Sequence, residues 1–382
     1  MLVERPQTLD FVPRRYGRYG ISTDRFEQAL ASAPAPSLVM VTSGMTYWYP
    51  GVIEAIRRVR KRFGGVPVLL GGVYASLCTE HARKVTGADH VFRGPDLARA
   101  VRAAVRHLAE ADGDGDLDPG ACELDWDDPR TWPSAAHELV QRPFAGIVTS
   151  WGCALRCTYC ASRMLQPNFV RRAPAAVVEE IQRCSDRGIR HFAFYDDALL
   201  LGAAQHVVPI LEGILKRGIR VSVHTPNGLH ASQVDSDLAR LLRSSGFSTI
   251  RLSLETTNTA RQRATGGKIT TEGFEQAVAR LREAGFCSRE LGAYILAGLP
   301  GQPLSEVEAT ITFAHRVGVQ AKLALFSPIP GTPDGDAVLP DGADPLLHNN
   351  TVYPYQQSAR YVAELDRLKL LAKEGNTRVQ RT

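Results

Sequence analysis

Two stretches of the chain repeat one pattern, in which a short apolar run alternates with a longer segment of helical spacing. The first stretch covers residues 37–110. Its apolar runs predict strands and its periodic segments predict amphipathic helices. The predicted strands are 37–43, 66–72 and 90–94, and the predicted helices are 49–64 and 95–111. Alternating strands and helices indicate a parallel sheet with helices on its faces.

The same alternation restarts at residue 143 and continues for six units. The predicted strands are 145–150, 190–195, 219–224, 249–254, 290–297 and 321–327. The predicted helices are 173–187, 203–217, 233–245, 271–285 and 304–317, with a last helix at 358–375. Six units fit either an open doubly wound sheet or a curved, partly closed barrel. Both architectures place ligand chemistry at the carboxyl ends of the strands.

An acidic segment separates the two stretches. Residues 112–128, DGDGDLDPGACELDWDD, carry eight acids and no base. With their glycines and proline they predict a solvated linker. We therefore expect a domain boundary between about residue 112 and about residue 143.

Composition narrows the class of protein. The 382 residues carry a net charge of +5, and the chain has no apolar run of transmembrane length. Its first residues, MLVERPQTLDFVPRRYGRYG, lack the apolar segment of a signal peptide. The seven cysteines are an odd number and mostly isolated, which favours a reducing, cytoplasmic compartment over a disulfide scaffold. Neither a membrane nor a nucleic acid is expected as a partner.

Three of the seven cysteines lie in one short segment, VTSWGCALRCTYCASRM (148–164), directly after the first strand of the second stretch. Cys153, Cys157 and Cys160 have the spacing C-x3-C-x2-C. A structural zinc site or an electron-transfer cluster needs a fourth protein ligand. Three thiolates therefore favour a 4Fe–4S cluster with one iron open to an outside ligand. A three-cysteine zinc site completed from elsewhere, or a C-x2-C redox pair, stays open as an alternative.

The triplet, with Tyr159 before its last cysteine, resembles the signature loop of the radical S-adenosylmethionine (SAM) enzymes. The resemblance extends in order over residues 143–335. It implies a partial barrel of six βα units. It also implies that SAM binds the open iron and is cleaved reductively to a 5′-deoxyadenosyl radical, which abstracts hydrogen from a substrate.

The same resemblance assigns roles to residues at later strand ends. Asp196 and Asp197 lie where the family's Gly-Gly-Glu motif accepts the methionine ammonium, and which of the two takes this role is open. Ser253 and Glu255 lie at the position that contacts the ribose. Gly298 and Pro300 belong to AYILAGLPGQP (293–303), which matches the family's turn after the fifth strand; LALFSPIPGTP (323–333) matches the turn after the sixth.

The first stretch resembles the flavodoxin-like domain of cobalamin-associated radical SAM enzymes. The resemblance lies in the loops VTSGMTYWYPG (41–51) and LLGGVYAS (69–76), with Ser43, Thr46, Gly71 and Gly72 as the implied cofactor-binding residues. The family's D-x-H-x-x-G motif and the first βα unit that carries it are absent. This leaves two alternatives, namely cobalamin bound without an axial histidine and a vestigial domain without the cofactor.

Together these patterns predict an α/β protein with a truncated flavodoxin-like (Rossmann-type) domain at 1–111, a linker at 112–142, a partial (βα)6 radical SAM core at 143–335 and an extension at 336–382. The expected cofactors are a 4Fe–4S cluster and SAM, with cobalamin open. Methylation of an unreactive centre is the leading expected reaction, and cobalamin-independent rearrangement or cyclisation is the second. We expect a small-molecule substrate and an electron donor such as flavodoxin or ferredoxin. The alternative from another class is a non-catalytic metal or thiol-redox protein.

Overall fold

A computed structural model of the chain describes residues 2–96 and 142–381, with five isolated positions between them. The predicted helix at 95–111 and the predicted linker at 112–142 therefore lie almost entirely outside the described residues. The described residues divide into two compact units. The first unit combines residues within Met1–Trp132 with Ser327–Ser358, and the second combines residues within Pro133–Phe326 with Ala359–Thr382.

The first unit contains a three-stranded parallel sheet in chain order. Its strands are β1 (Val39–Ser43), β2 (Val68–Gly71) and β3 (His90–Val91), and its helices are α1 (Thr23–Ser32), α2 (Tyr49–Phe63), α3 (Gly72–Leu77) and α4 (Thr79–Val85). Helix α2 shows why these elements form. A proline in its first turn favours initiation, three basic residues complement the dipole of its last turn, and Val52, Ile56 and Val59 form its buried face.

The second unit is built on six parallel strands that neighbour one another in chain order. They are β4 (Phe144–Ile147), β7 (His191–Phe194), β8 (Ser222–His224), β10 (Phe247–Glu255), β11 (Leu291–Ala297) and β12 (Gln320–Leu325). A short further strand, β9 (Leu229–His230), also pairs with β10. A doubly wound sheet reverses its strand order part-way, whereas a barrel does not. The order therefore decides for the barrel.

Helices connect these strands. They are α5 (Ser162–Leu165), α6 (Pro174–Asp186), α7 (Val207–Lys216), α8 (Ser236–Ser244), α9 (Thr259–Ala264), α10 (Thr271–Glu283) and α11 (Leu304–Arg316). The five longer helices, α6, α7, α8, α10 and α11, bury apolar residues in the core, whereas α5 buries no residue and α9 buries only Gln262. A short helix, α12 (Pro333–Asp336), belongs to the first unit, and the last helix, α13 (Ala359–Val379), belongs to the second.

Helix α13 covers the outer edge of β12. The side chain of Asn376 replaces a neighbouring strand there: its Oδ1 accepts from the backbone N–H of Ala321 (2.7 Å) and its Nδ2 donates to the carbonyl of Ala321 (2.9 Å). An uncovered edge strand would offer unpaired backbone groups to other chains. The helix therefore closes one side of the partial barrel.

The predicted fold class is confirmed, and the five connecting helices of the barrel agree with their predicted positions. The pattern missed an antiparallel pair, β5 (Ser150–Trp151) with β6 (Val170–Arg171), because two-residue strands show no alternation. It also missed α3 and α4. The predicted domain boundaries stay predictions. The predicted extension at 336–382 is divided between the two units at Ser358. No helix in the described part of the chain is both long enough and apolar enough to cross a bilayer.

Candidate active site at the carboxyl ends of the barrel strands

The cysteine loop lies between the two strands of the antiparallel pair β5–β6, which joins the two ends of the loop. Gly152 begins the loop with a φ of +76°, and a Cβ atom there would lie 2.4 Å from the carbonyl oxygen of Asn168. Only glycine fits this position. Cys153 and Cys157 are partly buried, Cys160 is exposed, and all three are free thiols. The loop thus presents three unpaired sulfurs.

Backbone N–H groups point at two of these sulfurs. Leu155 donates to Sγ of Cys153 (3.4 Å) and Ser162 donates to Sγ of Cys160 (3.5 Å). Burial raises the pKa of Cys153 and of Cys157, so the isolated loop favours neutral thiols there. A bound metal centre reverses this preference because the thiolate is the ligand form. The N–H donors then stabilise the sulfur charge.

Within the described residues, no three histidine, cysteine or acidic side chains converge where a single metal ion would bind. In a 4Fe–4S cluster each cysteine binds a different iron, so its sulfurs need not share one point. A cluster therefore does not require the three sulfurs to converge on one point.

The two aspartates after β7 have different surroundings. Asp196 is buried, and its carboxylate accepts from the backbone N–H of Thr149 (3.1 Å), from the Thr149 hydroxyl (2.6 Å) and from the Ser150 hydroxyl (2.6 Å). Burial raises the pKa of Asp196, and these hydrogen bonds offset only part of that rise. Its acceptor capacity is used within the protein, so Asp196 fixes the start of the cysteine loop.

Asp197 is exposed and lies beside the cysteine loop. Its carboxylate is hydrogen-bonded by Ser162, and its charge acts on Cys153. Partial burial raises its pKa. Of the two acids, Asp197 is the one with free acceptor capacity next to the cysteines.

Glu255 ends β10 in an unusual backbone conformation. Its φ of +67° makes it the one non-glycine residue with positive φ in the described part of the chain. Such a conformation costs on the order of 1 kcal/mol and persists only where the surroundings enforce it. Here Glu255 forms an ion pair with Lys268, and the side chains of both residues are largely buried.

Lys268 connects Glu255 to the cysteine loop through Tyr159. Its ammonium donates to the Tyr159 hydroxyl (3.2 Å), and that hydroxyl is hydrogen-bonded to both Glu255 and Cys157. Burial lowers the pKa of Lys268, but the charges of Glu255 and Cys157 outweigh it and raise the pKa overall. Lys268 is therefore a protonated cation held between the fourth strand and the cysteines.

Ser253 lies two residues before Glu255 on the same strand and is buried. A Cβ atom on Gly228 would lie 2.3 Å from its hydroxyl, so the glycine allows the close approach of the two segments. Its register partner on β9 is His230, which is also buried. Burial, and then the charge of Lys268, lowers the pKa of His230 to about 4, and its Nδ1 has no hydrogen-bond partner.

The turn after β11 is held internally. Gly298 has a φ of +99°, and its N–H donates to Oε1 of Gln302 (2.9 Å). The carbonyl of Pro300 accepts from Arg261 (3.3 Å), which is also ion-paired with Glu306. A side chain at position 298 would meet the Tyr361 hydroxyl, 3.1 Å from a Cβ atom. The turn is fixed without a ligand and leaves its glycine facing Tyr361.

In the first unit, the implied cofactor residues are engaged by the protein itself. The Ser43 hydroxyl donates to the carbonyl of Met45 (2.9 Å), and the Thr46 hydroxyl is hydrogen-bonded to Nδ1 of His348 (3.1 Å). Gly72 has a φ of +87°, and a Cβ atom there would lie 2.6 Å from the carbonyl oxygen of Ser43. Gly71 alone faces open space.

The sequence pattern missed Lys268 and His230. Lys268 follows a Gly-Gly pair outside every predicted element, and its spacing from the cysteines gives no signal. His230 lies in a two-residue strand after an interrupted third strand. Both are found only from the packing of β9 and β10.

The protein-family comparison identifies the superfamily. A family model described as the radical SAM superfamily matches residues 147–314, the range that carries the cysteine loop and the barrel strands β7, β8, β10 and β11. These residues form a radical SAM domain. The match indicates an enzyme and leaves its reaction open. The resemblance predicted from the cysteine loop is therefore confirmed.

Solved structures of radical SAM enzymes share this fold. The methyltransferase TsrM from Kitasatospora setae, solved with cobalamin and a [4Fe-4S] cluster, superposes with a TM-score of 0.68 at 18% identity, covering 90% of this chain and 81% of that one. The cobalamin-dependent enzyme OxsB, solved with aqua-cobalamin and SAM, gives a TM-score of 0.57 at 12% identity, covering 89% of this chain and 49% of that one. These two enzymes and this chain thus share one fold.

Two curated relatives of this chain are longer than it is. An uncharacterized methyltransferase from Pyrococcus horikoshii is 26% identical over 196 residues, which are 50% of this chain and 41% of the relative. An anaerobic magnesium-protoporphyrin IX monomethyl ester cyclase from Cereibacter sphaeroides is 23% identical over 292 residues, 69% of this chain and 47% of the relative. The chain spans less than half the length of either.

Proposed function

We propose that Cys153, Cys157 and Cys160 hold a 4Fe–4S cluster with one open iron, and that the protein binds and reductively cleaves SAM. The observation that supports this proposal most directly is the placement of three free thiols on the loop after the first barrel strand, inside the segment that matches the superfamily. Such a cluster supplies, when bound, the electron that breaks the sulfonium bond. The chain's own residues bind and orient SAM.

The residues around the thiols fit a cluster. Two N–H donors meet the sulfurs of Cys153 and Cys160, and the Tyr159 hydroxyl is hydrogen-bonded to Cys157. The Lys268 cation lies close enough to Cys157 and Cys160 for its pKa to be raised by them. Hydrogen bonds and a cation stabilise sulfur-borne negative charge. All three cysteines thus have a neighbouring donor.

We assign the methionine ammonium of SAM to Asp197 and not to Asp196. Asp196 already accepts hydrogen bonds from Thr149 and Ser150, whereas Asp197 is an exposed residue whose carboxylate is hydrogen-bonded by Ser162 and lies close enough to Cys153 to raise its pKa. An ammonium pairs with a carboxylate through charge-assisted hydrogen bonds. Glu255 and Ser253 stay the proposed ribose contacts, with Lys268 orienting the Glu255 carboxylate.

Methylation of an unreactive carbon or phosphorus centre is our first proposal for the overall reaction. One curated relative and TsrM are named methyltransferases, and TsrM and OxsB were solved with cobalamin. Cyclisation without cobalamin is the second proposal, supported by the relative that is named a cyclase. The substrate is proposed to be a small molecule, and the electron donor a flavodoxin or ferredoxin of the cytoplasm.

Cobalamin binding in the first unit separates these two reactions. The unit offers the carboxyl edge of a parallel sheet, where such folds bind ligands. Its two hydroxyl side chains at that edge, Ser43 and Thr46, are already hydrogen-bonded. Anaerobic titration with hydroxocobalamin, followed by desalting and a visible spectrum, tests the binding. Stoichiometric retention supports methyl transfer, and loss of the cofactor supports the second reaction.

The metal content of the purified protein tests the cluster itself. Anaerobic reconstitution is expected to give a brown protein with about four iron and four sulfide per chain. A colourless protein that instead retains zinc would favour the non-catalytic three-cysteine alternative.

A further inference from the structure

The interior of the barrel contains two basic side chains, Arg251 and Lys322, which lie two residues apart along the strand direction. Arg251 lies on β10, two residues before the buried Ser253, so both side chains share one face of the strand. The alternate residues Ile250, Leu252 and Leu254 are fully buried in the core on the other face. Arg251 therefore faces the interior of the barrel and not its helices.

Lys322 lies on the same interior face. Ser253 is the register partner of Tyr294 on β11, and Tyr294 is the register partner of Lys322 on β12. Paired residues in a sheet project to the same side. Lys322 is therefore level with Ser253, and Arg251 lies one level closer to the amino ends of the strands.

A glycine on the intervening strand allows the two basic groups to approach each other. The register partner of Arg251 on β11 is Gly292, and a Cβ atom there would lie 3.0 Å from Nη1 of Arg251. The guanidinium therefore crosses β11 in the direction of β12. Its charge lowers the pKa of Lys322, in addition to the lowering by burial.

Neither basic group has an acidic partner in the part of the chain that the structure describes. The side chain of Arg251 donates only to the carbonyl of its neighbour Ile250, at 3.4 Å. The charges that act on Arg251 and Lys322 come from Tyr294 and from Arg251, and no carboxylate is among them.

Other buried basic residues of the same unit are paired. Lys268 binds Glu255, Arg261 binds Glu306, and Arg172 binds Glu180. His224 lies near Arg251 but is hydrogen-bonded through both ring nitrogens, to Thr249 (3.1 Å) and to His191 (3.3 Å), and burial and the charges of His191 and Arg251 lower its pKa. Arg251 and Lys322 are thus a local exception.

Partly buried cations without a counter-charge destabilise a fold, and a bound anion offsets that cost. We propose that Arg251 and Lys322 bind an anionic group of the substrate, a carboxylate or a phosphate, inside the barrel. A guanidinium suits both groups because it offers a planar fork of donors. The inference rests on the proposed function and adds the substrate class to it.

The strand geometry also sets the length of the substrate. Arg251 and Glu255 are four positions apart on β10, a span of at most about 13 Å at the usual rise of a strand, because the pairing with β11 shifts between Ser253 and Glu255. The anionic group is therefore well separated from the end of the barrel that carries the cysteines. The substrate is an elongated molecule with the anion at one end and the reacting centre at the other.

Calorimetric titration of the reconstituted full chain with phenylphosphonate and with benzoate tests the site, and benzamide serves as the neutral probe. We expect one or both anions to bind and benzamide not to bind. Arg251→Gln and Lys322→Gln should each weaken anion binding at least about tenfold, because each substitution removes a charged hydrogen-bond donor to the anion. Arg316→Gln, which removes an exposed and paired arginine, should leave binding unchanged.

Lys322→Glu sharpens the test because it places a carboxylate beside Arg251. It should abolish anion binding and raise the thermal unfolding midpoint, whereas a misfolded variant would lower the midpoint. Absence of anion binding to the wild-type chain up to about 10 mM, or equal affinity in the Gln variants, would overturn the inference.

The same wild-type preparation is assayed for iron and for SAM cleavage. Cleavage without anion binding removes this inference alone. Anion binding by a protein that neither assembles a cluster nor cleaves SAM removes the proposed function and leaves the anion site in place.

Discussion

The barrel and the three-stranded sheet both end their parallel strands in polar loops, but the two loop regions differ in what remains free. In the barrel, three thiols and the Asp197 carboxylate are available next to a buried cation. In the smaller sheet, Ser43 and Thr46 are hydrogen-bonded within their own unit. The carboxyl edge of a parallel sheet is therefore only a place where ligands can bind. Unused polar groups decide whether a site exists.

Two residues late in the chain, Asp344 and His348, hydrogen-bond to polar side chains of the first unit. The carboxylate of Asp344 accepts from the hydroxyls of Thr8 and Tyr49 (both 3.2 Å), and His348 binds Thr46. These contacts fix the loop after β1 through residues about 300 positions away in sequence.

Replacement of any cysteine of the loop should abolish cluster assembly. Cys153→Ala, Cys157→Ala and Cys160→Ala should each fall from about four iron per chain to near zero, because three thiolates are the minimum that leaves one iron open. Iron and sulfide analysis after reconstitution measures this. The matched control is Cys287→Ala, which removes an exposed cysteine outside the loop. A loop variant with full iron and sulfide would remove that residue from the ligand set.

Removal of the buried cation should cost the barrel more stability than removal of the whole ion pair. Lys268→Met leaves Glu255 buried without its partner and should lower the free energy of unfolding by about 4 kcal/mol. The double variant Lys268→Met/Glu255→Gln leaves no unpaired charge and should be less destabilised. Urea unfolding of the metal-free chain measures both. Equal loss in both variants would show that the pairing has no role.

The two aspartates should separate stability from SAM binding. Asp196→Asn places an amide N–H₂ against hydroxyl and N–H donors, so it should lower the free energy of unfolding by about 3 kcal/mol. Asp197→Asn should change stability little and weaken SAM binding about tenfold. Urea unfolding and equilibrium dialysis with SAM measure the two effects. The reverse outcome would transfer the ammonium role to Asp196.

The smallest effect concerns His348 and pH. Burial lowers its pKa to about 4, below the ordinary value of 6.5, so the unfolded chain takes up the proton first as the pH falls. Stability from this residue is complete above pH 6.5 and is lost between pH 6.5 and pH 4. Between pH 7 and pH 5, His348→Gln should therefore lose about 2 kcal/mol less stability than the wild type. Identical pH slopes in urea unfolding would contradict the buried, neutral state of His348.

The period and spacing of apolar residues were sufficient to predict the six βα units, and the spacing of the cysteines was sufficient to predict the cysteine loop. The strands near 145, 190 and 290 are short runs rich in apolar residues, and the last two lie between segments of clear 3.6-residue period, so their type and their order along the chain follow from sequence alone. The choice between a barrel and a doubly wound sheet needed the strand order, which depends on long-range pairing.

The charge pairing of the site could not be predicted from the sequence. Two adjacent aspartates look equivalent in the chain, and only the hydroxyls of Thr149 and Ser150 distinguish them. Lys268 and Arg251 are both basic residues close to the fourth strand. One is paired with Glu255, while Arg251 has no acid beside it among the described residues. These differences arise from side-chain packing, which the spacing of residues along the chain does not show.

Reductive cleavage of SAM by the reconstituted wild-type chain tests the proposed function most directly. The anaerobic protein is mixed with SAM and dithionite, and the products are separated by chromatography, with Cys157→Ala as the matched control. We expect 5′-deoxyadenosine from the wild type and none above background from the variant. A wild-type protein that holds about four iron per chain and yet forms no 5′-deoxyadenosine would contradict the proposed function.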